Sequence, residues 1–122
     1  MKFTDKKILI FGGSFDPIHK GHINSCKSAI QTVKPDLTLI IPNKIPPLKN
    51  TLNASAPAKN RLEMCKIAFN GIKNLEVCNF EIKQKTSTPS YTYRTIQYLL
   101  KKYVGAKLYL LVGYDRYCDF YK

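Results

Sequence analysis

Short apolar runs that alternate with helical patterns restrict the fold of this chain more than any other feature. Residues 7–11 form a compact apolar run that ends at Gly12-Gly13, the length of a buried strand. Over residues 22–33 apolar side chains recur every three or four positions, and Pro35 prevents continuation of that helix. Alternating strands and helices are typical of a parallel sheet covered by helices. We therefore predict an α/β fold.

The rest of the chain continues this alternation. It predicts strands over residues 37–41, 75–82 and 108–112, a helix through Leu62, Cys65, Ala68 and Phe69 that closes near Gly71, and a helix marked by Ile96, Leu99, Leu100 and Tyr103. Residues 42–57 hold four prolines and predict a long ordered loop. A length of 122 residues predicts one domain, residues 1–122. Because only ten residues follow the last predicted strand, we expect that domain to be incomplete at its C-terminus.

Charge and cysteine content limit the classes of function. The formal net charge of +12 favours anionic partners, although a general lysine bias explains it equally well, since all but three of the 20 basic residues are lysines. The four cysteines show no zinc-ligand spacing and no secretory signal accompanies them, so we expect reduced thiols. No apolar stretch approaches the roughly 20 residues of a membrane helix. These features predict a soluble, cytoplasmic protein with no membrane partner.

The segment between the first strand and the first helix carries the chemistry. It reads Gly12-Gly13-Ser14-Phe15-Asp16-Pro17-Ile18-His19-Lys20-Gly21-His22. Two glycines let backbone N–H groups approach an oxyanion, Ser14 adds a hydroxyl, and the helix start adds a positive dipole end. The segment is neither a G-x-G-x-x-G fingerprint nor a P-loop. It predicts a phosphate cradle.

His19 and His22 distinguish this cradle from the common ones. Three positions apart around Gly21, they can bring both imidazoles to one phosphate as N–H donors. The helix dipole disfavours imidazolium whereas a phosphate favours it, so their protonation state stays open. The alternatives are a metal pair, for which only Asp16 could add a ligand within the segment, or ordinary surface histidines.

This segment resembles the G-G-T-F-D-P-x-H-x-G-H signature of the nucleotidylyltransferase superfamily, in the form typical of bacterial nicotinate-nucleotide adenylyltransferase. Three later segments agree in order and spacing: Pro46-Pro47-Leu48-Lys49, Ser90-Tyr91-Thr92 and Gly113-Tyr114-Asp115. The resemblance implies a Rossmann-like parallel sheet with helices on both faces. It also implies Mg²⁺-assisted transfer of AMP from ATP to nicotinate mononucleotide, giving nicotinate adenine dinucleotide and pyrophosphate in NAD synthesis.

The resemblance also implies site residues. His19 and His22 would be catalytic, and Mg²⁺ would arrive with ATP rather than at a protein site. The residues implied to bind ATP and its phosphates are Gly12, Gly13, Ser14, Phe15, His19, His22, Lys49, Gly113 and Asp115. Tyr91 and Thr92 would bind nicotinate mononucleotide through backbone donors at a helix start. A homo-oligomer is possible, and no nucleic-acid partner is implied.

The sequence departs from the family pattern in several places. Ser14 replaces Thr, Leu48 replaces His, Arg94 replaces an acidic residue and Tyr114 replaces a small one. The family's tryptophan and its Ser/Thr-rich segment ending in Arg would lie beyond Lys122, so we expect this chain alone to have little activity. The alternatives are another nucleotidylyltransferase, such as pantetheine-phosphate adenylyltransferase, and a small basic nucleic-acid-binding module.

Overall fold

Four strands and three helices alternate along the chain in the computed structural model, which describes residues 4–13, 15, 18–42, 58–80, 82 and 92–111. In order they are β1 (Lys7–Gly13), α1 (Lys20–Val33), β2 (Leu37–Pro42), α2 (Ala58–Ala68), β3 (Leu75–Val77), α3 (Thr92–Lys102) and β4 (Lys107–Leu111). The predicted order of elements is confirmed. Each predicted strand and helix has a counterpart.

The strands form one parallel sheet in the order β3-β2-β1-β4. β1 is central, with Ile8 opposite Leu37 of β2 on one side and opposite Leu108 of β4 on the other. The chain therefore leaves β1 in one direction to build β2 and β3, and returns across β1 to build β4. This reversal creates a switch point between β1 and β4, at which open parallel sheets bind ligands.

Alternate side chains of β1 supply two cores, one on each face of the sheet. Ile8 and Ile10 pack with Leu99 of α3 and with Tyr103, the residue that follows this helix. On the opposite face, Phe11 belongs to a cluster that α1 and α2 complete. Each buried apolar side chain contributes roughly 1.5–3 kcal/mol. Helices thus cover both faces, and the predicted Rossmann-like sheet is confirmed.

Several element boundaries differ from the sequence prediction, and the three largest differences have physical reasons. β1 continues through Gly13, because the glycine pair stays in register with the end of β2. α1 begins at Lys20, two residues earlier than predicted, because His19 caps it. The prediction of a strand over residues 75–82 was wrong in length. Among the described residues that follow Val77 in this predicted strand, Cys78 alone donates its N–H to the β2 backbone, at 2.7 Å from the Ile40 oxygen.

The shortness of β3 has a physical cause in an aromatic contact. The ring of Phe80 stacks on that of Tyr98 in α3, with centroids 4.0 Å apart and planes 14° from parallel. This contact holds the chain against α3, where it no longer follows β2. An alternating apolar pattern carries no information about such a partner.

Cys26, Cys65 and Cys78 are free thiols, as predicted for them, and Cys118 lies outside the described residues. Burial raises the pKa of both Cys26 and Cys65 to about 11. Near neutral pH these two thiols are therefore protonated and serve as small apolar core groups. Among the described helices, none is long and apolar enough to cross a membrane.

Two glycines with left-handed backbones provide a matched test of the packing. Gly71 follows α2 with φ of +91°, and a Cβ there would meet no atom within 4 Å. Gly105, between α3 and β4, has φ of +87°, and a Cβ would lie 3.1 Å from the Thr4 Cα. Gly71→Ala should therefore lower the free energy of unfolding by about 1–2 kcal/mol, the strain of a left-handed backbone in a residue with a Cβ. Gly105→Ala should destabilise the protein more, because its Cβ would also collide with Thr4. The urea unfolding midpoints of the two variants measure this difference, and equal decreases would contradict this packing.

Candidate functional site

The candidate site lies at the carboxyl edge of β1, beside the switch point. Gly12 and Gly13 end the strand there, opposite Ile41 and Pro42 of β2. α1 begins at Lys20, so its N-terminus opens at the same edge. A helix start presents unpaired backbone donors and a partial positive charge. The topology thus gathers groups that favour an anion.

His19 and His22 cap α1 reciprocally. The Nδ1 atom of His19 accepts the Gly21 backbone N–H at 3.0 Å, and the Nδ1 atom of His22 accepts the His19 backbone N–H at 3.0 Å. The rings stack with centroids 3.7 Å apart and planes inclined by 27°. The spacing predicted that the two imidazoles share one small volume, and the structure brings them together.

These caps determine which ring nitrogen carries the proton. Because each Nδ1 accepts a hydrogen bond, a neutral imidazole in this arrangement holds its proton on Nε2. Nε2 lies across the ring from the capping bond. The pair therefore offers two N–H donors and no free nitrogen lone pair, an arrangement suited to phosphate oxygens rather than to a metal ion.

The sequence leaves the protonation state of the two histidines open, and the structure indicates the direction of the pKa shift for His22. Burial lowers the pKa of its imidazole, and the neighbouring His19 lowers it further. A proton could enter only at Nδ1, where it would displace the His19 backbone N–H from its acceptor. Both effects favour the neutral ring near pH 7.

In the described part of the chain, no neighbouring protein atom prevents a side chain at position 12 or 13, where the cradle has its two glycines. A Cβ on Gly12 would meet only the Ile41 backbone oxygen, at 3.8 Å. On Gly13 it would touch the Phe15 ring at 3.4 Å, an ordinary contact, and neither glycine has a left-handed backbone. Backbone that is left bare without a packing reason is accessible to a close-approaching ligand.

The structure describes some of the remaining predicted site residues and not others. Phe15 is only 2% exposed, and its ring packs in the core and against the His22 ring, so the structure does not present this ring to solvent. Thr92 is the first residue of α3, as its predicted place at a helix start requires. The predictions on Ser14, Lys49, Tyr91, Gly113 and Asp115 fall outside the described residues. Among those described, no three His, Cys, Asp or Glu side chains cluster as a metal site.

Sequence reasoning did not find the packing behind the histidines. The Phe15 ring meets that of His22 edge-on, with centroids 5.1 Å apart. A phenylalanine between a glycine pair and an Asp-Pro dipeptide in the sequence gives no periodic signal of burial. Its backbone φ of +49° is equally unexpected for a residue other than glycine.

Fold and site together define a Rossmann-like α/β protein in which a glycine pair, a histidine pair and a helix start lie at the switch-point edge of the sheet. Comparison with known families identifies the family within this class. The cytidylyltransferase-like family model matches residues 10–122, and the chain belongs to that family.

Curated relatives carry a narrower name. A protein of Staphylococcus epidermidis named "Probable nicotinate-nucleotide adenylyltransferase" is 36% identical over 113 residues, which are 93% of this chain and 58% of that protein. A relative of the same name from Aquifex aeolicus is 38% identical over 93% of this chain and 66% of its own length. The chain thus spans about three fifths of these relatives.

Solved structures support the fold. The Plasmodium falciparum nicotinic acid mononucleotide adenylyltransferase complexed with APC matches with a TM-score of 0.74 at 19% identity, over 95% of this chain and 55% of that one. Its complex with NaAD matches with a TM-score of 0.69 at 17% identity.

The capping role of His19 can be separated from its Nε2 donor. His19→Ala removes both groups and should lower the free energy of unfolding by about 1 kcal/mol, the usual cost of a lost N-cap. His19→Asn keeps an acceptor at the cap and should retain most of that stability. Urea unfolding of both variants tests this. Equal destabilisation by Asn and Ala would show that the cap does not stabilise α1.

The lowered pKa of His22 predicts a pH dependence of stability. Below the ordinary value of 6.5 the unfolded chain takes up a proton that the folded chain resists, so stability should fall as the pH drops through that value. Urea midpoints at about pH 7.5 and about pH 5.5 measure the effect. His22→Asn, which does not titrate, should show a smaller fall, and an unchanged fall would assign it to other groups.

Proposed function

We propose that the protein transfers the adenylyl group of ATP to nicotinate mononucleotide, releasing pyrophosphate and forming nicotinate adenine dinucleotide. The observation that carries the proposal is the reciprocally capped pair His19 and His22, with both Nε2–H donors turned from the caps at the switch point. Relatives of that name at 36–38% identity support the choice of substrates. The product would serve NAD synthesis.

The reaction needs charge neutralisation more than covalent chemistry. A phosphate oxygen of nicotinate mononucleotide attacks the α-phosphorus of ATP, and the bond to the bridging oxygen breaks, so that pyrophosphate leaves with the electron pair. Negative charge grows on the oxygens of the α-phosphoryl group and the leaving group. In our proposal, His19 and His22 donate Nε2–H groups to these oxygens, while Gly12 and Gly13 let the phosphates approach the backbone.

We propose that Mg²⁺ is carried by the nucleotide. It would supply charge neutralisation on the phosphates, as it commonly does when held by substrate oxygens. The donor chemistry of the site fits this arrangement, since the two histidines present N–H groups toward the phosphates and not lone pairs toward a cation. Their part is to orient the phosphate oxygens that the ion leaves free.

The acceptor site is proposed at the start of α3. Thr92 opens that helix, whose N-terminus lies at the carboxyl edge of the sheet because it follows β3. Backbone donors there, together with the proposed contacts of Tyr91, would favour the carboxylate of nicotinate. An amide would bring no negative charge and would present N–H groups to N–H groups. Lys49, Ser14, Phe15, Gly113 and Asp115 are proposed to complete the ATP site.

Pyrophosphate release tests the reaction and its acceptor together. With ATP present, nicotinate mononucleotide should give a higher kcat/KM than nicotinamide mononucleotide in a protein extended to the length of the relatives. His19→Asn, which keeps the cap but lacks Nε2, should lower kcat by about 10²–10³-fold. Turnover with neither mononucleotide, or equal turnover by wild type and His19→Asn, would reject the proposal.

A further inference from the structure

A continuous row of ring contacts links the buried core to the exposed histidine. Phe11 and Phe15 meet edge to face with centroids 5.1 Å apart. Phe15 meets His22 at 5.1 Å with an interplanar angle of 78°, and His22 stacks on His19 at 3.7 Å. His22 is thus held between a buried phenylalanine and its partner imidazole.

Phe15 reaches this position from an unfavourable backbone. Its φ of +49° lies in the left-handed region, which residues with a Cβ rarely adopt. Its side chain is nevertheless 2% exposed in the core cluster of α1 and α2. Burial of the ring compensates for the backbone conformation and fixes the ring behind His22.

Gly21 leaves the space that the His19 imidazole occupies. A Cβ at this position would lie 2.8 Å from Cε1 and 3.0 Å from Nδ1 of His19. Contacts this short do not occur, so the His19 ring would have to move. Gly21 stands in the first turn of α1 with no left-handed φ, and the ring rather than the backbone requires a glycine here.

We propose that Phe15 and Gly21 are positioning residues that hold the imidazoles of His22 and His19 in the Nε2–H form, with both donors in one fixed geometry. Phe15 acts on His22 by contact with its ring. Gly21 acts on His19 twice, by leaving space for the ring and by donating its backbone N–H to Nδ1. The kinetic consequence of this proposal rests on the proposed function, whereas the tautomers do not.

Nitrogen NMR of the full chain labelled in histidine tests the tautomers without any assay of activity. In the wild type, Nδ1 of both rings should show the shift of an unprotonated nitrogen and Nε2 that of a protonated one. Gly21→Ala should mix the tautomers of His19, and Phe15→Leu those of His22. Gly71→Ala and Phe69→Leu are matched controls and should leave both rings unchanged: a Cβ on Gly71 would meet no atom within 4 Å, and Phe69 shares the core cluster of Phe15 without a ring contact to either histidine in the described part of the chain. Unchanged tautomers in Gly21→Ala would overturn the assignment of Gly21.

A stability cycle keeps the test decisive if Phe15→Leu does not fold. Alanine is ordinarily preferred to glycine inside a helix. Gly21→Ala should therefore lower the urea midpoint in the wild type but raise it in a His19→Ala background, where no ring obstructs the Cβ. The same sign in both backgrounds would show that Gly21 and His19 are not coupled.

Kinetics then separate positioning from substrate binding. In a protein active on ATP, Gly21→Ala should lower kcat by about 10–10²-fold, with a much smaller change in KM for ATP. An unchanged kcat would reject the positioning role. If the wild type shows no adenylyl transfer but the tautomers respond as described, the proposed function fails and the positioning assignment stands.

Discussion

β1 is hydrogen-bonded to a parallel neighbour on each side, and the placement of the site depends on that pairing. β2 and β4 hold it along its length, and the β2 ladder continues to Gly13. The same strand sends Ile8 and Ile10 into one core and Phe11 into the other. A central strand fixed on two edges and two faces has little freedom to shift. The turn that follows it therefore starts from a rigid end.

Rigidity at this point suits the phosphate site that we propose here. The start of α1 has backbone donors that need partners, and His19 and His22 satisfy two N–H groups at this turn with their Nδ1 atoms. Helix capping and tautomer selection are therefore one physical event. The burial that lowers the pKa of His22 acts in the same direction, toward a neutral donor. A protein can thus stabilise a helix and prepare a phosphate site with the same two side chains.

Short-range features of the chain were predictable. The order of strands and helices follows from apolar runs and periodicity, and Gly71 was expected where the chain leaves α2, where its φ is +91°. The proximity of His19 and His22 follows from three-residue spacing at a helix start. The three later segments could be read only through their resemblance to a family. For Thr92 the structure adds its place at the start of α3, while the side-chain contacts implied for it stay predictions.

The sequence by itself determined the elements and the local pairing of the histidines, because helix capping and side-chain periodicity act over a few residues. Tertiary structure decided the rest. β3 stops early because Phe80 stacks on Tyr98 of another element. Phe15 supports His22 because its ring is buried among side chains from α1 and α2. The lowered pKa of His22 likewise depends on burial that no local pattern encodes, since the free energy of a charge depends on everything packed around it.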